Sequence, residues 1–263
     1  MIMSKKNKTK IIAICNQKGG VGKTTTAVNL SAFLAASEQP TLVVDMDPQA
    51  NCTSGLGIEV GSYKNSVYNV IIGKTNINKC ILKSKLDFLD VLPASSQLVG
   101  AEIELVGMLT RESMLKDQLM DEKVQEKYKY IIIDSPPSLG LLTINVLTAA
   151  HSLIIPIQCE YYALEGLSQL LNTIRLVQKK LNKKLSIEGI LATMFDSRLN
   201  LSKEVVKELK QYFGNKVYKT AIHRNVRLGE APSYGEPILL YDASSIGAQD
   251  YMSLALEILE KNE

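Results

Sequence analysis

A glycine-rich run with two lysines, residues 16–25 (NQKGGVGKTT), carries the most chemical information in this sequence. It follows the apolar segment 11–15 and leads into the segment 24–37, which has the composition of a helix. A strand, a glycine loop and a helix in this order let backbone N–H groups surround a phosphate chain at the helix N-terminus. Lys23 is then expected to reach the β- and γ-phosphates, and the Thr24 hydroxyl to hold Mg²⁺. The predicted nucleotide-binding residues of the loop are Lys18, Gly19, Gly20, Val21, Gly22, Lys23, Thr24 and Thr25.

One lysine in this run departs from the usual phosphate-loop pattern. Gln17 stands where that pattern has its first glycine, and Lys18 precedes Gly19. A lysine in an arbitrary loop is most often a solvated side chain, but Lys18 lies at the mouth of a predicted polyphosphate site. It can reach either its own nucleotide or the nucleotide of a facing subunit. In the second case it acts like an arginine finger supplied in trans, which makes it a candidate catalytic residue.

Two further segments place carboxylates after apolar strands. Asp45 and Asp47 follow the run 41–44 and precede a proline, and Asp134 follows 131–133. The carboxyl ends of parallel strands meet at one edge of a sheet, where ligands bind in open α/β folds. A single aspartate in such a place is more often a turn or cap residue, but three of them beside a phosphate loop predict a magnesium site. The sequence has no Asn-Lys-x-Asp element of the kind that reads guanine, which favours ATP.

Apolar runs alternate with longer amphipathic stretches along the chain. This alternation predicts an α/β fold, a mostly parallel sheet with helices on both faces. We expect one domain over 10–263, a basic flexible tail at 1–9, and a surface excursion over 52–87. Predicted strands are 11–15, 41–45, 88–92, 130–134, 152–157, 187–194 and 238–241, and predicted helices are 24–37, 97–108, 111–127, 139–150, 163–182, 201–213 and 245–261.

Composition excludes several classes of protein. The four cysteines are widely spaced and the chain has two histidines, which argues against a zinc site and a disulfide framework. The sequence has no apolar run of membrane-spanning length and no signal-peptide pattern, so we expect a cytoplasmic protein. The net charge is +3, but residues 170–230 alone carry +8 and the remainder −5. A surface that faces a polyanion and a solvated helix face explain this asymmetry about equally well.

The ordered set of motifs resembles the ParA/Soj family of DNA-partitioning ATPases, within the deviant Walker A class. The resemblance covers nearly the whole chain from Lys10 onward. It implies ATP and Mg²⁺ as cofactors and a homodimer in the ATP-bound state, in which Lys18 of each subunit crosses to the partner's phosphates. It further implies that Asp47 orients the attacking water, that Asp45 supports the magnesium shell and that Asp134 takes the Walker B role. The motifs are 18–25 (KGGVGKTT), 44–49 (VDMDPQ), 133–137 (IDSPP), 156–161 (PIQCEY), 193–196 (TMFD), 224–228 (RNVRL) and 230–232 (EAP).

The same resemblance implies partners for the basic C-terminal half. The ATP-bound dimer is expected to bind double-stranded DNA without sequence preference and so to associate with the nucleoid. A ParB/Spo0J-type protein is expected to stimulate hydrolysis and release the DNA. The lysines at 179, 180, 183 and 184 end a predicted helix, where cations complement the helix dipole, and we interpret them as structural. The residues that similarity places on DNA are Arg198 and Arg227, with Lys203, Lys207 and Lys210 as neighbours along one helix face.

The chain departs from the family pattern near the base of the nucleotide. Members usually have proline just before the Arg-Asn-Val-Arg run, and here that position is His223. The resemblance implies that this loop closes over adenine, with Met194 and Asn225 as nucleotide-binding residues. We also expect no additional N-terminal DNA-binding domain, because about ten residues precede the first strand.

Other functions that use the same loop are weaker interpretations. A membrane-cycling ATPase like MinD needs a basic amphipathic C-terminal helix, whereas residues 256–263 (LEILEKNE) end in acidic residues. An iron–sulfur reductase needs cysteines near Asp134, where the sequence has Ser135 and two prolines. A metabolic ligase or kinase needs a further substrate constellation, and the motifs mark none. We therefore expect no membrane association.

Overall fold

The apolar runs of the sequence form a seven-stranded sheet. It is seen in the computed structural model of the protein, which describes residues 9–161 and 167–262. The strands are β1 (Lys10–Ile14), β2 (Thr41–Asp45), β3 (Leu82–Lys83), β4 (Leu89–Leu92), β5 (Tyr130–Asp134), β6 (Ser152–Gln158) and β7 (Ser186–Thr193). Their order is β3-β4-β2-β5-β1-β6-β7, and each adjacent pair is parallel except β3 with β4.

Helices connect the strands and cover the sheet. Short 3-10 turns at Ile77–Lys79, Gly214–Lys216 and Ala231–Tyr234 complete the described elements. The helices are α1 (Lys23–Ala36), α2 (Asn51–Gly55), α3 (Val67–Ile71), α4 (Leu98–Val106), α5 (Met114–Leu119), α6 (Glu122–Lys127), α7 (Leu141–Ala149), α8 (Leu167–Lys180), α9 (Asn200–Phe213), α10 (Val226–Glu230), α11 (Ile238–Tyr241) and α12 (Ile246–Asn262).

The core lies in two apolar layers, one on each face of the sheet. Successive side chains of a strand point to opposite faces, and in β1 Ile11 and Ala13 pack into one layer while Ile12 and Ile14 pack into the other. Helices α3 to α9 cover the first layer, and α1, α11 and α12 cover the second. Strands buried on both faces need the continuous apolar runs seen in the sequence. The predicted fold class is confirmed.

The register of the sheet brings the predicted site residues to one edge. Asp45, the last residue of β2, pairs with Asp134, the last residue of β5. On the other side of β5, Ile14 at the end of β1 pairs with the same Asp134. The loop that follows β1 therefore begins beside both carboxylates, as the ends of parallel strands require.

One predicted strand is wrong, since residues 238–241 form helix α11. A short apolar run fits a strand and a buried helical turn equally well by periodicity alone. Here Pro237 precedes the helix, and the backbone N–H of Ile238 donates to the Asn29 side chain of α1 at 2.7 Å. Leu240 is 43% exposed, so the run also lacks the two-sided burial of the central strands.

The segment 52–87 is folded into the domain and is not the surface excursion that we expected. It contains α2, α3 and β3, and the side chains of Val67, Val70 and Ile71 are fully buried. Their burial against the first apolar layer compensates for the short length of these elements.

The ends of several predicted elements also differ. Helix 111–127 is divided into α5 and α6, because the Asp121 side chain accepts the N–H of Lys123 and starts a new helix. Residues 163–166 of the helix predicted at 163–182 lie outside the described residues, as do residues 1–8 of the predicted tail. Thr9 is 2% exposed and donates its hydroxyl to the carbonyl of Tyr128, so this residue packs against the domain.

Candidate nucleotide and magnesium site

The glycine-rich loop is tied to two neighbouring strands by side chains that flank it. Asn16 donates its amide to the carbonyl of Pro156 in β6 (2.7 Å), and Thr193 at the end of β7 donates its hydroxyl to the carbonyl of Val21 (2.9 Å). Gly20 and Gly22 take left-handed backbone conformations, with φ of 74° and 88°, which a side chain would strain. Gly22 occupies the N-cap position of α1. The loop is thus held in the shape that a phosphate chain needs at a helix N-terminus.

Lys23 lies against this loop instead of extending into solvent. Lys23 is 6% exposed, and its ammonium donates to the carbonyl of Lys18 at 2.9 Å. Burial lowers the pKa of the Lys23 ammonium, while the nearby Asp134 carboxylate opposes that shift. The cation is therefore placed inside the phosphate loop, where the sequence predicts it.

Thr24 and Asp134, two of the residues predicted to hold magnesium, are in direct contact. The Thr24 hydroxyl donates to Oδ2 of Asp134 at 2.8 Å, and Asp134 is fully buried. Its other oxygen, Oδ1, is buried and has no hydrogen-bond partner among the described residues. Burial and the neighbouring charge of Asp45 raise the pKa of Asp134, while the hydrogen bond from Thr24 and the charge of Lys23 oppose that shift. A hydroxyl and a carboxylate with a spare oxygen are the ligands that Mg²⁺ prefers, so the residues fit this ion.

No group of three or more His, Cys, Asp or Glu side chains in the described ranges could hold a metal ion by itself.

Asp45 is occupied by its own protein neighbours. Its Oδ1 accepts the N–H of Asp47 at 3.1 Å, and its Oδ2 accepts the N–H and the hydroxyl of Thr53 at 2.8 and 2.7 Å. Burial raises the pKa of Asp45 to about 6. Its direct contacts therefore stabilise the turn that carries Asp47, and both of its oxygens already accept hydrogen bonds.

Asp47 lies at the edge of the same site and is 9% exposed. One oxygen, Oδ1, accepts the N–H of Gln49 at 2.9 Å, which fixes the orientation of the carboxylate. Its Oδ2 makes no hydrogen bond to any residue that the structure describes. That oxygen is available to a water molecule at the phosphate end of the site.

Lys18 stands on the rim of the loop. Its backbone N–H donates to the Asn16 side chain at 3.0 Å, whereas its side chain is 40% exposed and the ammonium lies 3.7 Å from Oε2 of Glu160. Arg224 lies 3.8 Å from the other carboxylate oxygen of Glu160. Exposed ion pairs of this length contribute little to stability, so Lys18 is free to change partner.

The two residues predicted at the base of the nucleotide lie in one cavity. It has a volume of about 220 Å³ and is lined by Met194 and Asn225, with Gly22 and Thr25 of the phosphate loop at one end. Oδ1 of Asn225 is buried and has no partner within the described part of the chain. Met194 has a φ of 51°, which turns the chain sharply after β7. Two residues of this region were not predicted from the sequence. Thr193 binds the phosphate loop through the carbonyl of Val21, although it begins one of the quoted motifs, and Tyr251 lines the cavity.

The predicted DNA-binding residues differ in whether a carboxylate already binds them. Lys203, Lys207 and Lys210 are exposed along α9 and make no ion pair with described residues. Arg198 instead donates to both carboxylate oxygens of Asp196, at 2.9 and 2.7 Å, and this contact lowers the pKa of Asp196 to about 2. Arg227 similarly donates to Glu230 at 2.9 Å. The lysines are available as they stand, and the arginines are held by carboxylates.

Comparison with known proteins identifies the family. A family model described as an AAA domain matches residues 9–187. The sporulation initiation inhibitor protein Soj of Bacillus subtilis (strain 168) is 60% identical over 249 residues, which cover 95% of this chain and 98% of that protein. The chain belongs to the Soj/ParA family. The chromosome partitioning protein ParA of Myxococcus xanthus, another member, is 52% identical over 96% of this chain and 89% of its own length.

Solved structures place the Soj/ParA fold in a wider group. A crystal structure named cobyrinic acid a,c-diamide synthase, from Mycobacterium smegmatis with a bound ATP analogue and magnesium, has a TM-score of 0.84 and 35% identity. It covers 96% of this chain and 95% of the other. The Soj/ParA relatives are much more similar in sequence, so they indicate the function more strongly than this structure does. No helix in the described part of the chain is long and apolar enough to cross a membrane.

Proposed function

We propose that this chain is a cytoplasmic, magnesium-dependent ATPase that segregates chromosome or plasmid DNA. The observation that carries the proposal is the pair formed by Thr24 and Asp134 beside the phosphate loop, in a chain 60% identical to Soj. ATP and Mg²⁺ are its cofactors, and the similar Mycobacterium smegmatis structure holds an ATP analogue and magnesium.

The chain's own residues suggest how hydrolysis would proceed. The loop N–H groups and Lys23 would bind the phosphates, and Thr24 and Asp134 would hold magnesium. Bound there, the ion neutralises charge that builds up on the phosphates. Asp47, oriented by Gln49, would accept a hydrogen bond from water through its Oδ2 and aim that water at the terminal phosphate. Positioning and electrostatics supply most of the catalysis in this chemistry.

Lys18 would complete the site of a second subunit. Its ammonium lies on the rim of the loop, and among the residues that the structure describes its one ion pair is the long contact with Glu160. A cation there that crosses to a facing nucleotide would make hydrolysis depend on dimerisation, as an arginine finger supplied in trans does. We therefore propose an ATP-bound homodimer and slow hydrolysis by the single subunit.

The basic surface would bind DNA through its phosphates. Lys203, Lys207 and Lys210 can contact the backbone directly, while Arg198 and Arg227 must exchange carboxylates for phosphates. Contacts of this kind carry no base readout and depend strongly on salt. The proposal therefore includes sequence-independent binding to the nucleoid and a ParB/Spo0J-type protein that triggers hydrolysis.

A membrane-cycling ATPase like MinD is the alternative. That function needs a terminal helix with a basic polar face. Helix α12 exposes Met252 and Leu256 but carries Glu257 and Glu260 near its end, so its charge would be repelled by anionic lipids. We therefore propose DNA, and not a lipid membrane, as the binding partner.

The deciding experiment is binding to a random-sequence duplex with ATP, ADP or no nucleotide, at two salt concentrations. We expect retention of DNA only with ATP, and weaker retention at the higher salt. An ATP-bound dimer that retains no DNA in low salt but binds anionic vesicles would favour the membrane function. Equal DNA binding in all three nucleotide states would contradict the proposed ATP control.

A further inference from the structure

A carboxylate of the last helix holds the segment that lines the Asn225 cavity. Asp250 of α12 accepts the backbone N–H of His223 at 2.8 Å, and the same oxygen lies 3.0 Å from the ring nitrogen Nδ1. One side chain thus engages both the main chain and the imidazole of His223. The Asp250 side chain is only 12% exposed, so water competes weakly for these contacts.

The other side of His223 packs against the strand end that carries Met194. Phe195 donates its backbone N–H to Ile222 (2.9 Å) and accepts that of Arg224 (3.0 Å), so two hydrogen bonds bracket His223. The rings of Phe195 and His223 meet edge to face with centroids 5.4 Å apart. His223 is therefore fixed between Phe195 and Asp250, and Asn225 follows two residues later.

Helix α12 is itself anchored to both parts of the nucleotide site. Tyr251, next to Asp250, shares a buried hydrogen bond of 3.1 Å with the Thr26 hydroxyl of α1. Gly247 approaches Leu228 so closely that an added Cβ would lie 2.7 Å from Leu228 Cγ. The start of α12 thus packs directly against α10, which follows Asn225. Because these contacts hold α12 in place, Asp250 can in turn hold the loop at His223 in place.

We propose that Asp250 is a positioning residue for the base of the nucleotide. Through His223 it fixes the loop that carries Asn225, a residue of the cavity wall whose buried Oδ1 has no hydrogen-bond partner among the described residues. That oxygen accepts a hydrogen bond from a donor such as the exocyclic amino group of adenine. This inference rests on the proposed nucleotide site, and it concerns the base alone.

The residue type at position 223 allows both contacts with the carboxylate. His223 has a backbone N–H and a ring nitrogen, and both reach Asp250. Two hydrogen bonds therefore restrain this position of the loop.

The test compares ATP with inorganic tripolyphosphate, which has no base. Dissociation constants for both are measured with Mg²⁺ on the full chain, for the wild type, Asp250→Ala, Asp250→Asn and His223→Ala. Asp250→Ala should bind ATP about tenfold more weakly, as expected for loss of a charge-assisted contact, and bind tripolyphosphate as the wild type does. Asp250→Asn keeps an oxygen for the N–H of His223 and should bind ATP more tightly than Asp250→Ala does. His223→Ala keeps the backbone N–H that Asp250 accepts, so it should also bind ATP more tightly than Asp250→Ala.

Glu257→Ala is the matched control. Glu257 lies on the same helix and accepts the backbone N–H groups of Lys219 and Thr220 at 3.1 and 3.2 Å, away from the cavity. Its ATP affinity should stay within about twofold of the wild type. Unchanged ATP binding by Asp250→Ala, or equal loss for ATP and tripolyphosphate, would overturn the positioning role. Wild-type protein that bound neither compound would instead overturn the proposed nucleotide site.

Discussion

The hydroxyl of Thr24 lies 2.8 Å from a carboxylate oxygen of Asp134, although 110 positions separate the two residues in the sequence. The contact exists because β1 and β5 are parallel neighbours whose last residues, Ile14 and Asp134, are in register. Helix α1 then starts directly above the end of β5. The sheet topology thus brings together the two residues that we propose to hold magnesium.

The first prediction concerns this pair. Asp134→Asn or Thr24→Ala should remove most of the magnesium-dependent part of ATP affinity, roughly 10- to 100-fold. Calorimetric titration with ATP, in Mg²⁺ and in EDTA, measures that part as the difference between the two conditions. Ser31→Ala is the control, since this buried hydroxyl of α1 donates to the carbonyl of Ala27 within its own helix. A full magnesium effect in Asp134→Asn would show that the ion is held elsewhere.

A second prediction concerns the pH dependence of folding stability at Asp90, on β4. Burial alone would raise the pKa of Asp90, but hydrogen bonds from Lys127, Tyr128 and Lys83 lower it below the ordinary value. A carboxyl with a lowered folded-state pKa stabilises the fold above its unfolded pKa of about 4 and loses that contribution as pH falls through the folded value.

Asp90→Asn should therefore unfold more easily than the wild type at pH 7, by about 1–3 kcal/mol. The difference should shrink as the pH falls below about 4. Urea titrations of both proteins at pH 7, 5 and 3 measure it. A difference that grew toward acid would contradict the assigned sign.

Part of this architecture could be predicted from the sequence. The two-sided burial of Ile131, Ile132 and Ile133 follows from an unbroken apolar run, and the ends of such runs locate Asp45 and Asp134. The glycine loop was recognisable because its spacing is set by phosphate geometry, which leaves little freedom.

Other features depend on contacts that no local pattern encodes. Residues 238–241 are helical because Asn29 of α1 captures the N–H of Ile238, a partner more than 200 positions away. The hydrogen bond from the His223 N–H to Asp250 likewise joins two segments that no single sequence motif contains. The resemblance predicts Arg198 and Arg227 as DNA-binding residues, but it does not indicate that each is held by a neighbouring carboxylate.

The third prediction separates Lys18 from Lys23. Lys18→Gln should bind ATP normally but fail to dimerise with it, because the loop stays intact while the cation that would cross to the partner is lost. Lys23→Gln should lose ATP binding itself. Light scattering on a sizing column with ATP checks the dimer, and Lys79→Gln, an exposed lysine outside the site, is the control. Dimers of Lys18→Gln would rule out the contact in trans.

The fourth prediction assigns water positioning to Asp47. Asp47→Ala and Asp47→Asn should both form ATP-dependent dimers, with turnover reduced roughly 100-fold or more. The asparagine keeps an oxygen for the N–H of Gln49, so the turn is preserved and the loss reports on the carboxylate. Phosphate release and dimer formation are measured on the same samples. Normal turnover in Asp47→Asn would move this role to another group.

The last prediction divides the basic surface into two parts. The lysines of α9 make no ion pair with described residues, whereas Arg198 is held by Asp196 and Arg227 by Glu230. Replacing Lys203, Lys207 and Lys210 by glutamine should weaken DNA binding and reduce the slope of log affinity against log salt by up to about three, near 0.9 per lost phosphate contact. Arg198→Glu with Arg227→Glu should abolish binding and leave the ATP-bound dimer intact.

The control for charge is the lysine group at the end of α8 and just after it. Replacing Lys179, Lys180 and Lys183 by glutamine removes the same net charge from a different surface. If binding depends on the proposed contacts, this variant keeps nearly the full salt slope, because charges farther than about 10 Å act weakly at 0.1 M salt. Equal slopes for the two triple variants would mean that DNA responds to overall charge, and the α9 surface would lose its assignment.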